Sequence, residues 1–277
     1  MKPTIFTIVT LSLLVTACGS SEQAAASLHP TGVHLQAVYE IPKTLEGQPS
    51  LHEQMAYLVW FPEGYGQDPD KKWPLIYFLH GSGAAEYDST FVMSFGLPEV
   101  LLVGDEPEDF PFVVISPQAF SSIAWWEGQT PQVLNALLAD VIERYQIDDR
   151  RVYLTGLSMG GYGSWFQARD YPDTFAAMIS ISGSGFRTSL PPGPEELCAM
   201  GNLPVWIIHG QLDQISAPSA AEYYAQGYER FCDAELVFTL YPDVGHLGAY
   251  QRAYRDPALY AWLLGHELAP VEPSLSE

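Results

Sequence analysis

The chain has 277 residues, 47% of them apolar and 13% aromatic, enough for a substantial core and too apolar for wholesale disorder. Its 33 acidic residues against 12 basic ones leave a formal charge of −21, with no Lys/Arg cluster or stripe, so nucleic acid is not an expected partner. Length alone leaves one large or two small domains open.

In chain order, the first 18 residues read as an export signal. "MK" supplies the positive start, and "IFTIVTLSLLV" has the length of a signal's apolar region, short for a membrane span. The run ends in "LVTAC" (14–18), which resembles the lipobox of bacterial lipoproteins. That resemblance implies removal of residues 1–17, a lipid on the Cys18 thiol, and membrane attachment at the cell envelope. Gly19 resembles the outer-membrane sorting pattern, for an organism that has such a membrane. An ordinary signal peptide cut near "AAA" (24–26) is the alternative. "GSSEQAAAS" suits a flexible tether, assigned to 18–32.

Eight strands are expected after the tether. "VHLQAVYEI" (33–41) and "MAYLVWFP" (55–62) form an opening pair. Six nearly continuous apolar runs follow at 73–81, 110–118, 151–156, 175–183, 204–210 and 235–242, the pattern of strands buried on both faces. Helices are expected at 130–145, where Pro131 suits a first turn, and at 159–172, 217–231 and 256–267. Strands alternating with helices predict an α/β fold with one mostly parallel sheet covered on both sides, over a domain at 33–268 with a tail at 269–277. No internal repeat is found. The acidic stretch "GDEPEDF" (104–110) lacks calcium-loop spacing and reads as a solvated loop. Cys198 and Cys232 form a candidate disulfide in an oxidising compartment, with two buried thiols as the alternative.

The segment "TGLSMGGYGS" (155–164) sets Ser158 among Gly156, Gly160, Gly161 and Gly163, between an expected strand and an expected helix. A turn tight enough to lift a hydroxyl above a sheet crowds its neighbours. Gly156 and Gly160 remove colliding side chains, and Gly161 and Gly163 let the helix lie close. Gly-x-Ser-x-Gly in this setting is the nucleophile elbow of α/β-hydrolases. A serine hydroxyl needs a base, and the base an acid to orient it. Chain order Ser, Asp/Glu, His points to Ser158, Asp213 after "PVWIIHG" and His246 in "YPDVGH", each just past a strand's carboxyl end. Asp243 is the rival acid. His80 and His209, closing "FLHG" and "IIHG", read as structural loop histidines. Two backbone N–H groups should meet the oxyanion, one from Met159 and one from Ser82 in "HGSG" (80–83).

"RVYLTGLSMGGYGSW", "PVWIIHGQLD", "VFTLYPDVGH" and "DPALYAWLL" together resemble the exported carboxylesterase and predicted-peptidase branch of α/β-hydrolases, akin to feruloyl and acetyl-xylan esterases and polyhydroxybutyrate depolymerases. The likeness covers roughly 55–265. It implies a Ser158–Asp213–His246 triad cleaving carboxylic esters, small or polymer-borne, with neither metal nor organic cofactor. One departure is "HLGAY" after the histidine, where related sequences often carry a tryptophan.

Trp125 and Trp126 follow the fourth strand and either wall a substrate pocket or pack their loop onto the core. The segment 183–202 is too short for a cap domain, which predicts an open cleft. A serine peptidase with the same triad, and a catalytically silent surface-binding lipoprotein, are the competing readings.

Overall fold

The computed structural model describes residues 29–84, 89–121, 123–186 and 193–270. The export signal, Cys18 and the tether up to residue 28 lie outside the described residues. The tether expected over 18–32 nevertheless ends early. The His29 ring stacks on Phe61 with centroids 4.6 Å apart, and the Gly32 N–H donates to the Phe61 carbonyl at 3.0 Å.

Eight strands build one sheet: β1 (His34–Glu40), β2 (Gln54–Trp60), β3 (Trp73–Leu79), β4 (Val113–Pro117), β5 (Ile147–Leu157), β6 (Ala177–Ile181), β7 (Val205–Gly210) and β8 (Leu236–Tyr241). Their spatial order is β1-β2-β4-β3-β5-β6-β7-β8. β2 runs antiparallel to both its neighbours, and β3 through β8 are parallel. A two-stranded ribbon, Thr44–Leu45 with Gln48–Pro49, sits outside it.

Successive side chains of a strand point to opposite faces, and two separate cores result. Leu75, Tyr77 and Leu79 of β3 enter one, Ile76 and Phe78 the other. The first core lies beneath α2 (Thr130–Arg144), α3 (Met159–Asp170) and α4 (Pro218–Phe231). The second is covered by α1 (Gly96–Val103), α5 (His246–Ala253) and α6 (Pro257–Leu264). In α2, Pro131 occupies the first turn and Val133, Leu134, Leu137, Leu138 and Val141 are buried along one stripe. Each such side chain contributes about 2 kcal/mol of apolar burial.

Three expectations change. β8 is an edge strand whose residues are half-buried or exposed, because it pairs only with β7; its apolar run does not report burial on both faces. β5 begins at Ile147, four residues before the apolar run, since Ile147 pairs with Trp73 while Asp148 and Asp149 turn toward solvent. Helices α1 and α5 fall where none was expected; α1 ends on Gly104 in the left-handed conformation, a common helix stop.

Of the segment after β6, the described part carries a short helix (Pro194–Leu197) packed down on α4, with Leu197 buried. Cys198 and Cys232 are joined in a disulfide, Cα atoms 5.3 Å apart, tying that segment to the end of α4. Among the described residues no separate cap domain stands over the sheet.

Candidate active site

Parallel strands bring their carboxyl ends to one edge, and backbone hydrogen bonds stitch the following loops into a row. The Ser158 N–H donates to the Ile181 carbonyl (2.9 Å), Ser182 N–H to Ile208 (3.0 Å), and Gln211 N–H to Tyr241 (2.8 Å). Ser158, Ser182, Asp213 and the 242–246 loop thus follow β5, β6, β7 and β8 in order. Neighbouring strands stand about 4.8 Å apart, so the serine and acid loops are about 10 Å apart across β6, within joint side-chain reach.

Ser158 occupies the turn from β5 to α3 with φ 54° and ψ −117°, a left-handed-side conformation that costs a non-glycine residue strain. What holds it there is crowding. A Cβ on Gly156 would overlap the Gly160 carbonyl, and one on Gly160 would overlap the Leu79 carbonyl. The glycines around the serine are therefore required by backbone lying on backbone. Met159 begins α3, where the first N–H groups have no partner within the helix. The 80–83 loop presses on the same turn: a Cβ on Gly81 would lie 3.4 Å from that of Ser158. Ser82 is exposed and starts a single tight turn, Ser82–Ala84.

His80 braces this loop from beneath. Its Nδ1 lies 2.8 Å from the Gly81 carbonyl and its Nε2 accepts the Ala119 N–H at 3.0 Å, which assigns the proton to Nδ1. Burial pushes its pKa down to about 4, so the neutral form is the resident one. Trp125 donates its indole N–H to the His80 carbonyl at 2.8 Å and is 1% exposed. With no free face it cannot wall a pocket; the other expectation, loop packing, applies to it. Trp126 is half-buried, stacked on Phe166 at 5.2 Å and edge-on to Tyr162, one turn beyond Ser158.

On the far side of the row, His246 Nδ1 donates to Asp213 Oδ2 at 2.7 Å, which makes Nε2 the acceptor nitrogen of the ring. Asp213 Oδ1 accepts the N–H groups of Ile215 (2.8 Å) and Ser216 (2.9 Å). The carboxylate is buried, the imidazole only slightly open to solvent. The rival Asp243 is solvent-exposed and paired with Arg252 at 3.1 Å. The structure thus joins Asp213 to His246 directly. Between Ser158 and this pair stand Gly183, on which a side chain would strike the Ser158 carbonyl, and Ser182, whose hydroxyl donates to the His246 carbonyl at 3.3 Å. No hydrogen bond links the Ser158 hydroxyl to the imidazole; such contacts are commonly long without substrate and tighten when it binds. Among the described residues no group of His, Cys, Asp and Glu is arranged to hold a metal ion. No described helix is long and apolar enough to cross a membrane.

A mostly parallel eight-stranded sheet with β2 reversed, helices on both faces and a strained serine at the end of β5 define the protein as an α/β-hydrolase in fold. A solved thermostable esterase shares it, with a TM-score of 0.63 at 22% identity over 84% of this chain and 63% of that one. Residues 48–210 match the Esterase family, and the chain belongs to that family. It is 26% identical to a bifunctional acetylxylan esterase/xylanase of Neocallimastix patriciarum over 196 residues, 68% of this chain and 26% of that one. To feruloyl esterase B of Neurospora crassa it is 27% identical over 160 residues, 50% of this chain and 51% of that one. The chain therefore spans from about a quarter to about half the length of these curated relatives.

Proposed function

We propose that the protein hydrolyses carboxylic esters through an acyl-enzyme on Ser158. His246 Nε2 takes the hydroxyl proton as Ser158 Oγ attacks the ester carbonyl. Asp213 holds the imidazole in the Nδ1–H tautomer and stabilises its charged form. The N–H groups of Met159 and Ser82 meet the oxyanion. His246 then protonates the leaving alcohol, and a water deprotonated by the same nitrogen releases the acid. This chemistry calls for no metal or organic cofactor.

The observation that carries the reading is the 2.7 Å Asp213–His246 hydrogen bond, at the same sheet edge as the turn that holds Ser158 at positive φ. Family membership supports the ester as substrate, and relatives named for acetylxylan and feruloyl esters support one borne on a polymer. Trp126 and Tyr162, half-buried beside the serine turn, would line the acyl or sugar side. Export and a lipid on Cys18 complete the proposal and rest on the first 18 residues. A fluorophosphonate probe should label the protein, and Ser158→Ala should abolish both labelling and turnover of p-nitrophenyl, feruloyl and acetylated-sugar esters. Turnover surviving in that variant, or peptide cleavage exceeding ester cleavage, would overturn the assignment. Labelled fatty acid should enter the wild type and not Cys18→Ala.

A further inference from the structure

A second imidazole lies against Asp213. His209, near the end of β7, is fully buried, and its Nε2 sits 3.1 Å from Asp213 Oδ2 and 2.9 Å from the Ser216 carbonyl. We infer that His209 is a positioning residue for the esterase reaction, locking the Asp213 carboxylate so that its Oδ2 stays aimed at His246. The inference rests on the proposed esterase reading.

Both neighbours of Nε2 are acceptors. A lone pair there would be repelled by two oxygens, so Nε2 carries the proton; it donates to the Ser216 carbonyl, with the carboxylate oxygen 3.1 Å from the same nitrogen. Nδ1 is then the bare nitrogen. It is buried and has no hydrogen-bond partner among the described residues. An unmatched buried polar atom is costly, and an aliphatic side chain would avoid it. An imidazole whose one satisfied nitrogen bonds the Ser216 carbonyl and stands against the carboxylate is explained by that donor, not by packing.

Counting donors gives the same answer. A carboxylate offers about four acceptor sites. Ile215 N–H and Ser216 N–H take Oδ1 and His246 Nδ1–H takes Oδ2, while the His209 Nε2–H, bonded to the Ser216 carbonyl, sets its positive end 3.1 Å from Oδ2. Without His209, Oδ2 of a fully enclosed carboxylate loses the N–H that stands 3.1 Å away and keeps only its bond to the ring it is meant to orient. The Ser216 carbonyl loses its imidazole donor too, and with it a tie on the loop whose Ser216 hydroxyl meets the Tyr162 hydroxyl at 2.8 Å.

Glutamine and asparagine separate this role from bulk packing, because a glutamine amide reaches the place of Nε2 and an asparagine amide only that of Nδ1. The full chain would be compared as wild type, Ser158→Ala, His209→Gln and His209→Asn. The readouts are kcat and KM on p-nitrophenyl esters, the fluorophosphonate labelling rate, and the titrated fraction of active serine. His209→Asn should lower kcat and labelling rate about 10- to 100-fold with KM nearly unchanged, as for a buried carbonyl left without its donor beside a charged group. His209→Gln should recover to within about fivefold of wild type by the same reasoning. The exchange-protected Nδ1 proton of His246, seen by NMR in wild type and His209→Gln, should broaden in His209→Asn. Equal rates in all three proteins with His246 signals alike, or equal losses in both variants matched by a fallen active fraction, would overturn the inference. A wild type that is neither labelled nor active fails the esterase reading itself, while the NMR comparison still decides the hydrogen bond.

Discussion

The serine side of the candidate site is held by backbone packed on backbone, and the acid–base side by hydrogen bonds. Around Ser158, glycines 156, 160 and 183 each leave room only for a neighbouring main chain, and the loop beneath is wedged by His80 and Trp125. Around Asp213 and His246 the loops are exposed at Leu212, Ile215 and Leu247, and their order comes from donors converging on one carboxylate. In the roles proposed for them, Ser158 as nucleophile must be fixed in position, so steric locking suits it. His246 as base must gain and lose a proton, so a polar frame that tolerates both charge states suits it.

The two sides should therefore fail differently. The largest effect is expected at Asp213→Asn, which keeps the shape and spoils the tautomer. Its kcat should fall on the order of 10⁴-fold, with the thermal midpoint nearly unmoved. A steady-state assay beside a melting curve would check this, and a loss below tenfold would break the contrast. Gly160→Ala should do the opposite. Its new methyl meets the Leu79 main chain, which cannot rotate away, so a destabilisation of about 3 kcal/mol or more is expected from denaturant titration. Wild-type stability in that variant would show that the elbow is not sterically locked.

Acid should also reach the serine side through His80. In the unfolded chain this imidazole protonates near its ordinary 6.5, but when buried in the fold only near about 4. Between those values the unfolded state binds the extra proton, so stability falls as pH drops. The loss is complete below about pH 4 and amounts to about 3 kcal/mol. Unfolding titrations from pH 7 to pH 4 would measure it, and His80→Gln should flatten the slope. The smallest effect belongs to Asp243→Asn, which removes an exposed ion pair with Arg252. Less than about 1 kcal/mol of stability should be lost, with turnover unchanged. A large loss of rate there would reinstate Asp243 as the acid.

Much of this arrangement is legible in the chain because it depends on neighbours in sequence. Seven consecutive apolar residues at 73–79 are all buried, and the glycines flanking Ser158 mark a turn that a bulkier chain could not make. Order along the chain places Asp213 and His246 past successive strands of a parallel sheet. Exposure is less legible. Trp125 and Trp126 are adjacent and chemically alike, yet one is sealed beneath the His80 carbonyl and the other half-open beside Tyr162. Both meet α3, Trp125 at Gly163 and Trp126 at Tyr162 and Phe166, and what sets them apart is that Trp125 also packs on His80.

The sequence by itself determined the alternation of strands and helices, the crowded turn at Ser158 and the Ser–Asp–His order, because each is written in periodicity or sterics over a few residues. Only the tertiary structure decided that Cys198 lies within bonding distance of Cys232, that β8 is an edge, and that His209 lies 3.1 Å from the carboxylate of Asp213. Such contacts depend on how finished elements pack, and the distances that settle them are not encoded in any local pattern.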